Sequence, residues 1–420
     1  MGSKDNLKEL YTKQYMSCVF FMKESIIVNP DSLEHSYVPE ILPTREDIRK
    51  EIVDLFRHFF RTSSGGFRSV HLYGNVGTGK TVLSRRIGKD LMNLFEADII
   101  VCYVNCRFSR RVYRVLADIA RQISETLPQR GLSKDEFLEL IFLVAQEKAK
   151  KLLIILDEID SLFWGEEGGK TSDVLYSLSR FRERILTSSE LCLGIISISR
   201  EQSFIYKWLD APTRASFIQL TKYLKPYTST DLFEILRYRA SIALREGSID
   251  DETIGFLADF VAKQAQGNAR IAIDLLRISC EIAQKLGSKE VEPEHIRLAI
   301  REYAIIPSLD LESLIALGKQ KLILLLAIIQ ALKETNRSYV TRQQVQSYYR
   351  EICREFDERP RKTTQIWRYL KEIEYELGGI LEVYVTGKNQ KGRSTRISIN
   401  VPLKDLENTI RKFLETSKEY

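Results

Sequence analysis

Gly74-Asn75-Val76-Gly77-Thr78-Gly79-Lys80-Thr81 decides how this chain is read. The octapeptide fills the pattern G-x-x-x-x-G-K-[ST], in which glycines let successive backbone N–H groups turn inward on phosphate oxygens. The pattern is informative only between a strand and a helix. Ser69-Val70-His71-Leu72-Tyr73 before it has the apolar, β-branched character of a short strand. From Thr81 onward, Val82, Leu83 and Ile87 recur at helical spacing. A helix opening there adds the positive end of its dipole to the same anion site. Lys80 is placed to reach β- and γ-phosphates, and Thr81 to put its hydroxyl on Mg²⁺. The expected ligands are therefore ATP or ADP with Mg²⁺.

Working downstream, Leu152-Leu153-Ile154-Ile155-Leu156-Asp157-Glu158 is a strand too apolar for a half-exposed position, and it ends in two acids. Asp157 is the expected metal-side carboxylate and Glu158 the group that orients or deprotonates the attacking water. Asp160 is read as structural. Further strands are expected at 99–104, 191–198 and 217–220, with helices at 44–60, 111–126 and 173–186 between them. Thr44 is the expected cap of the first of these helices. Alternation of this kind predicts an α/β domain built on a parallel sheet.

After Pro226 the strand signal stops. Four helices are expected at 228–245, 251–266, 268–286 and 293–303. Beyond Pro307 the order is helix (317–333), helix (341–356), basic loop, helix (364–377), then two short strands around a polar turn. This reads as a winged helix-turn-helix. Arg361, Lys362, Thr363 and Thr364 lead into its recognition helix, with Gln365, Arg368 and Lys371 on the outer side. The turn carries Lys388, Lys391 and Arg393 without an acid and suits a wing for the minor groove or the phosphate backbone. The expected divisions are 1–37, an N-terminal extension loosely docked; 38–225, the α/β domain; 226–306, a helical lid; and 307–420, the winged helix.

Bulk properties agree with a globular chain of several domains: 420 residues, 44% hydrophobic and 29% charged. Net charge is only +6, but residues 310–420 hold 20 Lys and Arg against 15 Asp and Glu. Most of the excess is thus in the last quarter, as expected for a nucleic-acid-binding module. Six scattered cysteines and four histidines give no zinc pattern and read as reduced thiols in a cytoplasmic protein. The longest aliphatic run, 322–329, is too short to span a bilayer, so no membrane partner is expected.

These segments together resemble the AAA+ ATPases, and more narrowly the archaeal origin-recognition and cell-division-cycle type replication initiators. The resemblance is carried by Val38-Pro39-Glu40-Ile41-Leu42-Pro43-Thr44-Arg45, by Tyr73 through Thr81, by Val104-Asn105-Cys106-Arg107, by Leu156 through Asp160, by Gly267-Asn268-Ala269-Arg270 and the helix it opens, and by Val291 through Ile296. It implies that Leu42 and Arg45 lie near the adenine, that Arg270 senses the γ-phosphate, and that Arg214 is an arginine finger for a neighbouring subunit. It implies duplex origin DNA as ligand, with the minichromosome-maintenance helicase and paralogous initiators as partners, in a nucleoid-associated setting. Arg110 and Arg111 fall where such initiators carry an extra DNA-touching insertion. In one place the chain departs from the pattern. Ile198-Ser199-Arg200-Glu201 puts Arg200 where the family carries an Asn beside the γ-phosphate, which predicts weak hydrolysis. Two alternatives stay open on sequence alone: a slowly hydrolysing, ADP-retaining DNA-binding regulator, and an AAA+ signalling ATPase whose winged helix binds protein.

Overall fold

A computed structural model describes residues 25–62, 65–109, 111–127, 131–163, 168–184, 190–305, 311–385 and 395–416. Lys388, Lys391, Arg393 and Arg110 lie outside the described residues. The chain divides into two compact units, one of residues 36–227 and one that joins residues up to 35 with residues from 228 onward.

The first unit is a five-stranded parallel sheet in the order β2-β3-β4-β1-β5. Its elements are α1 (Glu46–Thr62), β1 (Gly66–Tyr73), α2 (Lys80–Phe95), β2 (Ile99–Asn105), α3 (Val112–Ile123), α4 (Lys134–Lys148), β3 (Lys151–Asp157), α5 (Gly168–Ser179), β4 (Cys192–Ser199), α6 (Ser203–Trp208), α7 (Ala211–Phe217) and β5 (Leu220–Tyr223). Every residue of β4 is buried, and all of β3 except Lys151, as a strand covered on both faces requires. Gly194 on β4 marks the tightest packing: a Cβ there would stand 2.9 Å from Phe56 and 3.0 Å from Phe60 of α1. Parallel order brings the carboxyl ends of β1, β3 and β4 side by side, where open α/β sheets place their ligands. Gly74, Glu158 and Arg200 follow those three ends.

Three local expectations are corrected. Thr44 does not cap α1. It takes a left-handed φ of 67°, and the Glu46 carboxylate accepts the Leu42 N–H at 2.6 Å instead. The segment 217–220 is not the last strand, because α7 runs through Phe217 and β5 begins at Leu220. Pro212 at the start of α7 favours that helix. The helix expected over 173–186 begins at Gly168 and ends at Ser179, with a separate turn at Phe181–Arg184. Helix α4, closed at its start by a Ser133–Glu136 capping box, was not anticipated.

The second unit holds α8 (Ser229–Ala243), α9 (Asp251–Gln264), α10 (Ala269–Lys285) and α11 (Pro293–Tyr303), then α12 (Lys319–Thr335), β6 (Val340–Thr341), α13 (Arg342–Glu355), α14 (Thr363–Glu376), β7 (Leu381–Val385), β8 (Thr395–Ile399) and α15 (Leu403–Thr416). Thr228, Asp250, Asn268 and Thr341 cap α8, α9, α10 and α13 through their own side chains. Strands β6, β8 and β7 form an antiparallel sheet that packs on α12, whose residues 322–329 are all apolar and buried. Residues 25–35 are firmly docked here rather than loose: Ile27 bridges Leu244, Ile26 and Leu33 are buried, and the Arg239 guanidinium donates to the Ser32 carbonyl at 2.6 Å.

The four-helix part and the winged part are joined by buried polar contacts. Arg297 of α11 is fully buried and donates to the Ile399 carbonyl at 2.7 Å, while Glu294 accepts the Leu403 N–H at 3.0 Å. Gln264 of α9 donates to the carboxyl of Glu382 on β7 at 2.7 Å, with the Lys263 ammonium 3.9 Å away. No helix among the described residues is long and apolar enough to cross a membrane.

Candidate functional site

The loop 74–79 is strained in the way a phosphate cradle requires. Gly74, Gly77 and Gly79 have φ of 151°, 78° and 89°, which favour glycine, and Gly79 immediately precedes α2. A Cβ on Gly74 would lie 2.4 Å from the Leu224 carbonyl, and one on Gly79 would lie 2.4 Å from the Tyr227 hydroxyl. Thr78 closes the loop on the Asn75 carbonyl at 2.9 Å. Val76 is exposed at the rim, and Val82 packs against the core. Lys80 folds back, donating to the Gly74 and Asn75 carbonyls at 2.6 and 2.8 Å. Burial lowers its pKa to about 8, opposed by Asp157 and Asp160. A partly desolvated ammonium held by weak neutral acceptors is suited to an incoming phosphate.

Asp157 collects three donors: the Thr81 hydroxyl at 2.8 Å, the Tyr103 hydroxyl at 2.8 Å and the Glu158 N–H at 2.9 Å. Thr81 and Asp157 are hard oxygen donors side by side, a pair that fits Mg²⁺. Glu158 takes a left-handed φ of 50°, a strained value for a carboxylate residue and one that turns its side chain out of the strand. Its two oxygens face two guanidiniums, Arg107 and Arg200, each at 3.8 Å. Asp160 is buried, and burial raises its pKa.

Leu42 is buried, and the Arg45 guanidinium stacks 4.3 Å from the ring centre of Tyr227. Arg45 Nη2 donates to the Lys225 carbonyl at 2.5 Å, while its buried Nε has no hydrogen-bond partner among the described residues. An orphaned donor beside an aromatic face suits the ring of a nucleoside base. Arg214 lies on α7 with its guanidinium 5.3 Å from the Tyr206 ring. Arg270 is in the other unit, in the first turn of α10, where the Asn268 side chain caps its N–H at 3.0 Å.

Within that unit, the start of α14 is fixed from α13. Arg342 donates to the Thr363 carbonyl and Gln346 to its hydroxyl, both at 3.2 Å. A cavity of about 520 Å³ opens there, lined by Gln346, Arg350, Arg361, Lys362 and Thr364 among others. Arg361, Lys362 and Thr364 are exposed; Gln365 is half-buried and bonds Tyr369 at 3.1 Å. Arg368 and Lys371 are exposed but pair along the helix with Glu372 at 3.3 Å and Glu374 at 2.6 Å. In the first unit, Arg111 is exposed and Phe108 is 84% exposed on the short helix Cys106–Ser109.

Sequence reading missed Arg107, Tyr103 and Tyr227. Of these, only Arg107 carried a signal, through its place in the Val104–Arg107 segment. Tyr103 and Tyr227 reach the site by strand register and chain return, which spacing does not reveal.

A parallel-sheet core with this loop and acid pair, followed by a helical lid and a winged helix, defines an AAA+ ATPase of the initiator type. Family profiles agree: an AAA domain matches residues 65–194, the Cdc6 AAA+ ATPase-type lid domain residues 233–301, and the CDC6 C-terminal winged helix domain residues 312–409. The chain is 32% identical over 386 residues to ORC1-type DNA replication protein 2 of Saccharolobus solfataricus, covering 90% of this chain and 91% of that one. It is 30% identical to ORC1-type DNA replication protein 1 of Methanosarcina mazei, over 93% and 91% of the two chains. The crystal structure of Cdc6p from Pyrobaculum aerophilum superposes with a TM-score of 0.77 at 29% identity, over 94% of this chain and 100% of that one. The Aeropyrum pernix ORC1 protein, solved in complex with DNA, shares the fold at 24% identity and a TM-score of 0.58, over 94% and 99%. The chain belongs to the archaeal ORC1/Cdc6 family of replication initiators.

Proposed function

We propose that this protein binds ATP or ADP with Mg²⁺ in the core and duplex origin DNA through the winged helix and the core, and that it helps to recruit the minichromosome-maintenance helicase, with paralogous initiators as further partners. The observation that carries the nucleotide half is the convergence of Lys80, Thr81, Asp157 and Glu158 at the carboxyl edge of the sheet. Thr81 and Asp157 would hold the metal, which neutralises charge on the phosphates when bound. Lys80 would bind the β- and γ-phosphates, and Glu158 would orient the water. Arg270 and Arg214 are assigned, on the family's pattern, to sensing the terminal phosphate and to serving a neighbouring subunit.

The DNA half rests on the pre-set first turn of α14 and the basic lead-in of Arg361 and Lys362. Arg368 and Lys371 sit on the outer face, and Arg111 is assigned to the core's DNA contact. Lys388, Lys391 and Arg393 are assigned to the minor groove or the phosphate backbone by sequence, and Arg110 to the core's DNA contact by the family resemblance. Replacing Lys388, Lys391 and Arg393 with Ala should weaken duplex binding and reduce the slope of log affinity against log salt by up to about 3, at roughly 0.9 per lost phosphate contact. An unchanged slope would point to a winged helix that docks on protein. Footprinting on genomic fragments tests origin recognition, which uniform protection of unrelated duplexes would exclude.

The Arg107–Glu158–Arg200 arrangement favours slow turnover as a second element of the reading. Two guanidiniums flanking a general base compete with the water it must orient. Phosphate release well below one per minute, with ADP retained through purification, is the expected result.

A further inference from the structure

His71 occupies a place where a parallel strand ordinarily carries Val or Ile. It is buried to 1% exposure in β1, three residues before the phosphate loop. Burying an imidazole among aliphatic neighbours is costly unless both ring nitrogens are satisfied. Here both are. Nδ1 is 2.8 Å from the Ser197 hydroxyl and Nε2 is 3.0 Å from the Ser199 hydroxyl, both on β4. The direction of the bonds follows from the far end. The Ser199 hydroxyl donates its proton to the Glu201 carbonyl at 2.9 Å, so it accepts from Nε2–H. Nδ1 is then unprotonated and accepts from Ser197. Desolvation lowers the His71 pKa to about 3, so the ring stays neutral and the chain of bonds keeps one polarity.

This relay ends at Arg200. The Arg200 carbonyl accepts the Gly74 N–H at 3.2 Å. The Ser199–Glu201 bond spans the residue from either side. Phe204 of α6 lies over the His71 ring, with centroids 5.8 Å apart and planes 23° apart. The backbone of Arg200 is thereby fixed from the residue that follows β1 and from its own strand. Its guanidinium extends to Glu158, and its charge bears on the Lys80 ammonium.

We propose that His71 is a positioning residue of the nucleotide site, which through Ser197 and Ser199 sets Arg200 as the cation that distinguishes a terminal phosphate from its absence. The inference rests on the nucleotide reading above and goes beyond it. The mount is a buried histidine two strands from the acid pair.

The test measures affinity for ADP and for a non-hydrolysable ATP analogue in full-length protein, with melting temperature as the control for folding. His71→Phe keeps an aromatic ring against Phe204, somewhat larger than the imidazole, but removes both bonds. Ser199→Ala removes one hydroxyl, and with it the His71 Nε2 bond, while leaving every residue of β1 in place. Both variants, like Arg200→Ala, should weaken the ATP analogue by about tenfold while ADP affinity stays within about twofold. The His71→Phe, Arg200→Ala double variant should be no worse than Arg200→Ala alone, because the two act in series. If His71→Phe does not fold, Ser199→Ala decides by itself. A wild-type ratio of the two affinities in both variants, or additive losses in the double variant, overturns the proposal. Wild-type protein that binds neither nucleotide overturns it together with the reading on which it rests.

Discussion

Glu382→Gln should make the winged helix more stable at pH 8 and leave it unchanged at pH 4. Glu382 lies on β7 with no exposed surface. It is approached by Gln264 and Lys263 of α9, by Glu374 of α14, by the Tyr384 hydroxyl and by Asn400. Desolvation is the largest influence and raises its pKa from 4.5 to about 7, against the smaller pull of Gln264 and Lys263. Between those two values the folded protein holds a proton that the unfolded chain releases. The stability Glu382 contributes is therefore fully present below pH 4.5 and is lost as pH rises to about 7. At 1.36 kcal/mol per pKa unit the loss is about 3 kcal/mol. The neutral amide keeps a partner for Gln264 and never ionises, so it escapes the loss. Native-state hydrogen exchange of the β7 and β8 amides measures this locally. The difference in opening free energy between variant and wild type should grow from near zero at pH 4.5 to about 3 kcal/mol at pH 8. A difference that is flat with pH, or that grows toward acid, would refute the burial argument.

Two other perturbations follow from the core. Affinity for ADP should decline above pH 8, approaching tenfold per pH unit as Lys80 sheds its proton, and Lys80→Met should abolish that dependence; titration calorimetry from pH 7 to 10 reads it, and a flat profile in wild type would contradict the desolvated ammonium. Gly194→Ala forces a methyl to 2.9 Å from Phe56, where rings from α1 cannot withdraw without opening the core, so thermal unfolding should show a loss of about 1–3 kcal/mol; an unchanged midpoint would mean that α1 shifts freely.

How much of this was legible in the sequence depends on the range of the interaction. The phosphate loop, the apolar run before Asp157 and the boundaries of α11 are local patterns, and each was read within a residue or two. Helix α4 was missed because its apolar residues lie all round it, so no single face stands out. Helix α15 was passed over after the wing, though Leu403, Leu406, Ile410 and Leu414 follow helical spacing and are all buried. The strand expected at 217–220 failed because Pro212 starts a helix that consumes Phe217. At the site, residue types and spacing named Lys80, Thr81, Asp157 and Glu158. They could not name His71, whose role exists only because β1 lies beside β4 in a register that pairs it with Ser197.

The docking of residues 25–35 bears on how the molecule can be cut. From residue 25 the chain lies against the lid, leaves it to build the whole ATPase core, and returns, so the core is a long parenthesis inside another body's chain. A fragment beginning at residue 36 would keep every phosphate-binding group yet strip Ile26 and Leu33 from the helices they cover, and leave the Arg239 guanidinium without the Ser32 carbonyl. Trimming the front end would injure the part of the protein encoded two hundred residues later.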